Sequence, residues 1–196
     1  TSMSTIITSI DPGSPAMRAG LQPGQQLLSI NGHAVVDVLD YRFYGYDPVS
    51  HLSLKNKDGS TQKLTIHKAE GEDLGLNFDS YLMDEMRSCA NHCIFCFVDQ
   101  MPPGMRQTLY FKDDDARLSF LQGNYITLTN LTEREAQRII DLRISPINVS
   151  VHTTDPQLHC TMLGNKNAVR SLDYIRAFCK AGIVMNGQIV VCPGWN

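Results

Sequence analysis

Between residues 6 and 66, short apolar runs are separated by turn chemistry. Ile6, Ile7 and Ile10 predict a first strand, and Pro12-Gly13-Ser14-Pro15 is dense in turn formers. Residues 16–20 have room for one helical turn. Leu27-Leu28-Ser29-Ile30 predicts a strand ended by Asn31-Gly32, a strong tight-turn pair. Val35, Val38, Leu39 and Phe43 fall at helical spacing. Leu52-Ser53-Leu54 and Leu64-Thr65-Ile66 alternate as strands around Lys57-Asp58-Gly59, a hairpin pattern. Residues 4–68 therefore predict a small α+β domain. Residues 69–80, with Glu70, Gly71, Glu72 and Asp73, are polar, acidic and turn-rich, and predict a linker.

From Tyr81 onward strand and helix patterns alternate. Tyr125-Ile126-Thr127-Leu128-Thr129 predicts a strand by its β-branched content. Thr132 and Glu135 form a capping box for a helix whose apolar face is Ala136, Ile139 and Ile140. Residues 147–151 predict a second strand. Residues 166–181 predict a helix with Ala168, Leu172, Ile175 and Cys179 on one stripe and Gly182 at its end. Residues 183–191 predict a third strand. This order specifies an α/β domain over 81–196, with a parallel, open or barrel-like sheet and right-handed crossovers.

Composition removes several function classes. The chain has 196 residues, 42% hydrophobic and 19% charged, as in an ordinary globular protein. A net charge of -3 without a basic stripe argues against nucleic acid as a partner. Apolar runs are far too short for a membrane span, and, with no charged and apolar leader pattern visible, no secretory leader is expected. Thr1 and Ser2, ahead of Met3, read as an expression remnant.

The cysteines change the picture most. Of six, three crowd into Cys89-Ala90-Asn91-His92-Cys93-Ile94-Phe95-Cys96, while Cys160, Cys179 and Cys192 are scattered. Clustered cysteines without an export signal point to metal or redox chemistry in a reducing compartment, so the expected location is the cytoplasm. Three thiolates can hold three irons of a cubane cluster and leave the fourth iron open to a small molecule. A zinc-stabilised site, with His92 or a distant cysteine as fourth ligand, is the competing reading, although zinc ligands usually come in separated pairs. Asp113-Asp114-Asp115 reads as a solvated loop, because three adjacent side chains point in different directions. Cys179 reads as a small hydrophobe in a helix stripe.

Cys-x3-Cys-x2-Cys with Phe95 before the last cysteine resembles the signature of the radical S-adenosylmethionine (SAM) superfamily. The resemblance implies a [4Fe-4S] cluster on Cys89, Cys93 and Cys96, and S-adenosyl-L-methionine chelated to the open iron. It implies one-electron cleavage of the sulfonium, a 5′-deoxyadenosyl radical and hydrogen abstraction from substrate. It also implies an electron donor such as flavodoxin or ferredoxin. Phe95 is an expected cofactor neighbour. Asn130 stands where the family usually has a Gly-Gly-Glu-like motif for the methionine amino group, and its side-chain oxygen can accept from an ammonium; a plain loop residue is the other reading. His152, at the end of a predicted strand, is a third expected cofactor contact, against a satisfied loop residue. No catalytic acid or base is specified.

Pro12-Gly13-Ser14-Pro15-Ala16, Ala19-Gly20-Leu21, Gly24 and Leu28-Ser29-Ile30-Asn31-Gly32 resemble a bacterial-type PDZ domain. Such a domain implies an extended peptide added at a strand edge, with its terminal carboxylate held in a backbone nest. Gly75-Leu76-Asn77-Phe78 is similar to the carboxylate-binding loop, in permuted order; a plain turn is the alternative. The domain can equally grip its own chain, and a binding module without catalysis is the alternative function.

With Phe120 to Asn130, Val149-Ser150-Val151-His152-Thr153-Thr154-Asp155-Pro156 and Cys192-Pro193-Gly194, the layout resembles a bacterial family with a PDZ domain, a radical SAM domain and a C-terminal domain of unknown function. The resemblance leaves the substrate open, small molecule or protein. A radical SAM core normally has six strands, and about four are expected here. The chain is therefore expected to be a truncated member with a partial, incomplete barrel.

Overall fold

The computed structural model describes residues 5–196; the expected remnant at Thr1 and Ser2, Met3, and Ser4 at the expected domain start lie outside the described residues. The chain divides into two units, the first ending at Glu85 and the second spanning Met86–Asn196.

The first unit follows the order β1 (Ile7–Ile10), α1 (Pro15–Arg18), β2 (Gln26–Ile30), β3 (His33–Ala34), α2 (Val38–Tyr44), β4 (Val49–Lys55), β5 (Thr61–His67) and β6 (Leu76–Phe78). An antiparallel sheet runs β3-β2-β4-β5, and β1 pairs with β6 in a second sheet. Local chemistry explains the helices. Ser14 caps α1 by accepting from the Met17 N–H, with Pro15 in the first turn. Asp37 caps α2 through the Leu39 N–H. Ile7, Leu27, Ile30, Leu52, Leu54 and Ile66 are buried and form the core. Fully burying such side chains is worth about 1.5–3 kcal/mol each.

Residues 69–80 are not a linker. Leu74 and Leu76 are buried, and Leu76–Phe78 pairs antiparallel with β1, so this stretch completes the first unit. Acidic residues 70–73 masked that role, because only two apolar positions carry it.

The second unit contains a 3₁₀ turn (Gln107–Tyr110), α3 (Ala116–Gln122), β7 (Tyr125–Ile126), α4 (Glu133–Asp141), β8 (Ile147–Ser150), α5 (Pro156–Leu163), α6 (Val169–Lys180) and β9 (Met185–Gln188). Its three strands form a parallel sheet in the order β7-β8-β9. The expected capping box is present: Thr132 accepts from the Glu135 N–H, and the Glu135 carboxylate accepts from the Thr132 N–H. The expected strand at 125–129 stops after Ile126, because Leu128 takes a left-handed φ of 61°. The fourth expected strand, near the cysteines, is only an isolated bridge between Ser88 and Asp113.

Cys179 is exposed, not buried. The buried side of α6 is instead Ser171, Leu172, Tyr174 and Phe178. The helix is turned toward the aromatic rings, and its buried polar atoms are paired: Ser171 with His159, and the Tyr174 hydroxyl donating to the Leu131 carbonyl. The acidic triplet is not a solvated loop either. Asp114 and Asp115 are 2% and 1% exposed, and each of the three serves a different partner.

Candidate functional site

The cysteine loop is pinned along its backbone from two sides. The Cys89 N–H donates to the Lys112 carbonyl at 2.6 Å, beside the Ser88–Asp113 bridge. The His92 N–H donates to the Leu163 carbonyl, and the Ile94 N–H to the Met162 carbonyl, both at 2.9 Å. Those carbonyls belong to the last turn of α5, where a helix has no internal partners for them. Gly164 ends that helix at φ 60°, and a Cβ there would lie 2.4 Å from the His92 carbonyl oxygen. Only glycine lets the loop pass this close.

Asn91, 1% exposed, is the hub of a polar network under the loop. Its side-chain nitrogen donates to the Thr127 hydroxyl at 2.9 Å. Its side-chain oxygen accepts from the Thr129 hydroxyl at 3.0 Å and from the Asn165 amide at 2.7 Å. Its carbonyl accepts from the Lys112 ammonium, and its N–H lies 3.4 Å from the Cys89 sulfur. Asp114 completes the network by accepting from both the N–H and the hydroxyl of Thr127, each at 2.6 Å. Burial pushes the Asp114 carboxyl up to about 6.

Cys89, Cys93 and Cys96 are free thiols of intermediate exposure. Burial, followed by the neighbouring charges of Cys89 and Cys96, pushes the Cys93 thiol up to about 12. Burial and the charge of Asp114 raise the Cys89 thiol. A thiol whose proton affinity burial and neighbouring sulfurs raise, as at Cys93, becomes a thiolate more readily beside added positive charge, which a bound metal supplies. Among the described residues, no group of three or more His, Cys, Asp or Glu side chains is arranged to hold a metal ion. His92, the alternative fourth ligand of the zinc reading, is exposed.

Phe95 and His152 come together. Their ring centroids are 4.4 Å apart with planes tilted by 58°. His152 is 4% exposed and sits at φ 62°, just past the end of β8. Its Nδ1 accepts from the Val190 N–H at 3.1 Å, which puts the proton of the neutral ring on Nε2. Burial, then the nearby His159, pushes its pKa down to about 4, so the ring is neutral at pH 7. His152 lines a cavity of about 360 Å³ with Val151, Thr153, Thr154, Ile189 and Val191. Asn130 uses its side-chain nitrogen structurally, donating to the Ser88 carbonyl at 3.3 Å and the Asp114 carbonyl at 3.1 Å. Its side-chain oxygen takes no bond from the described residues.

Sequence reasoning missed Asn91, Thr127, Asn165, Gly164 and all of α5. The available signal was the bracket of Asp155-Pro156 and Gly164: an N-cap with proline in the first turn, and a left-handed glycine at the end.

Among the described residues, no helix is long and apolar enough to cross a membrane. No curated protein matches the chain. A family model described as a PDZ domain matches residues 6–55, and one described as a radical SAM-like domain matches residues 68–196. The second match covers well over half of the sequence, so the chain belongs to the radical SAM-like family, here following a PDZ domain.

Proposed function

We propose that this chain is a radical SAM enzyme, or the part of one that binds its cofactors, with a [4Fe-4S] cluster on Cys89, Cys93 and Cys96. The observation that supports this reading is the loop that carries three free thiols, held by the α5 carbonyls and by Asn91. Bound together, the cluster and S-adenosyl-L-methionine supply a carbon radical for hydrogen abstraction.

The chain's own residues bind and orient. Asn130 offers its free side-chain oxygen to the methionine ammonium, and its side-chain nitrogen keeps it fixed against Ser88 and Asp114. Phe95 and His152 form an apolar wall, and the Nε2–H of His152 is a fixed donor toward the cavity beside it. The parallel β7-β8-β9 sheet supports reading this unit as part of a radical SAM barrel. The electron comes from a donor of the flavodoxin or ferredoxin kind, and the compartment is the reducing cytoplasm. The PDZ domain match supports a peptide as the ligand class of the first unit.

The test is turnover of S-adenosyl-L-methionine by anaerobically reconstituted protein with dithionite, followed by chromatography. Appearance of 5′-deoxyadenosine, lost in Cys93→Ala and reduced by about tenfold or more in Asn130→Leu, is the expected result. Cluster-loaded protein that leaves S-adenosyl-L-methionine intact contradicts the reading.

A further inference from the structure

The amides of Gly75 and Leu76 both end on side chains of their own domain. The Gly75 N–H donates to Asp73 Oδ1 at 2.7 Å, and the Leu76 N–H donates to the Tyr41 hydroxyl at 3.2 Å. That hydroxyl donates in turn to the same Asp73 oxygen at 2.8 Å. Tyr41, on α2, is 6% exposed, and its ring meets Phe78 edge-on with centroids 5.5 Å apart. Gly75 has no substitute: it sits at φ 81°, and a Cβ would lie 2.2 Å from the Ser14 Cβ.

Among the described residues strand β6 pairs with β1 alone, so its second edge is where an added peptide strand would bond. The Leu76–Tyr41 bond shows α2 already closing that edge. The residues after β6 fold back over the same place. The Met83 N–H donates to the Ser80 carbonyl at 3.0 Å, and the Val38 N–H of α2 donates to the Leu82 carbonyl at 3.3 Å. Leu82 and Met83 are each 2% exposed. Met83 is held at φ 67°, a conformation that a non-glycine residue keeps only where its surroundings over-determine it. The space left between α2 and β6, lined by Val38, Tyr41, Leu76, Phe78, Tyr81 and Met83 among others, is about 200 Å³. That is below the roughly 300 Å³ at which ligand sites begin.

We propose that this groove is a peptide site already occupied by its own chain. Asp73 stands in for a ligand's terminal carboxylate, and residues 80–83 stand in for its side chains. A partner ending in an apolar residue with a free carboxylate binds only by displacing them. This holds whether or not the second unit carries a cluster.

The test uses fluorescent decapeptides ending in Val, Leu, Ile or Phe, titrated against the full chain and against a chain with Asp73→Ala and Met83→Ser together. The altered chain is expected to bind the free-acid peptides about tenfold tighter or better, and to lose them when the terminus is amidated. Equal binding by both chains, or no binding by a folded altered chain, overturns the proposal. Hydrogen exchange on the unaltered chain gives an answer that does not depend on the variant folding. Protected Gly75, Leu76 and Val38 amides are expected, and exchange of these amides at free-peptide rates overturns it.

Discussion

The side-chain amide of Asn91 donates to the hydroxyl of Thr127 at 2.9 Å, which ties the loop of Cys89 and Cys93 to the residue that follows β7. Every side-chain polar atom of Asn91 has a partner, and the residue is buried. Such a fully satisfied network is costly to break, because each partner left behind loses a bond in a dry place. Asn91→Ala is expected to lower stability by about 2–4 kcal/mol, read from the urea midpoint. It is also expected to weaken iron retention relative to the unaltered chain. Unchanged stability and unchanged iron would show that the network does not hold the loop.

Gly164→Ala tests the second support of the loop. The added Cβ has nowhere to go except into the His92 carbonyl, and alanine is also strained at φ 60°. The expected cost is about 1–3 kcal/mol, with faster hydrogen exchange at the His92 and Ile94 amides, which bond to α5. Gly182→Ala is the control. It has a similar φ of 75° but nothing within 4 Å of its Cβ, so it leaves the exchange of those loop amides unchanged.

These two supports mark the boundary of what was legible in the sequence. The capping box at Thr132, the strand at residue 147 and the three loop cysteines could be read directly, because each is written in adjacent residues. The packing face of α6 could not. Ala168, Leu172, Ile175 and Cys179 make a good apolar stripe, yet the helix buries Ser171 and Tyr174, whose polar atoms find His159 and the Leu131 carbonyl. The strand at Tyr125 was overcalled for a related reason. Thr127 and Thr129 are good strand residues, but their hydroxyls bond to each other and to Asp114 and Asn91. Asn91 lies between the cysteines, and nothing in the adjacent residues marks it. Its meaning rests on contacts 36, 38 and 74 residues away in sequence.

Asp115 and Arg117 make a buried two-point ion pair, at 2.9 and 2.6 Å, with side chains only 2% and 6% exposed. Asp115 also caps α3 and accepts from the Arg87 N–H. Asp115→Asn removes the carboxylate from a buried two-point ion pair and weakens the α3 cap, and is expected to cost about 3 kcal/mol or more, read from thermal or urea unfolding; unchanged stability contradicts the account.

Glu135 and His152 each cost the fold stability in acid, while Asp114, whose carboxyl burial raises to about 6, acts in the opposite sense. Partial burial works against the Glu135 charge, but its bonds to Arg87 and Thr132 outweigh this and hold its carboxyl down at about 2, below an ordinary value of 4.5. The folded state therefore binds this proton less readily. Its contribution is full above pH 4.5 and disappears as pH falls toward 2. With Arg87 41% exposed, that contribution is roughly 1–2 kcal/mol. His152, neutral and buried, has its pKa lowered from 6.5 to about 4. Protonation favours the unfolded chain, so stability falls as pH drops from 6.5 to 4. Unfolding curves of His152→Asn are expected to be flatter over that upper window, and those of Glu135→Gln flatter over the lower one. Parallel curves for variant and unaltered chain would contradict the assignment.

The central claim concerns what the three thiols hold. Iron and acid-labile sulfide, with a visible spectrum, should be measured on anaerobically prepared protein beside Cys93→Ala. The account predicts close to four irons and four sulfides per chain, with a broad charge-transfer band, all strongly reduced in the variant. Zinc in place of iron, or iron content that the variant leaves unchanged, would contradict it.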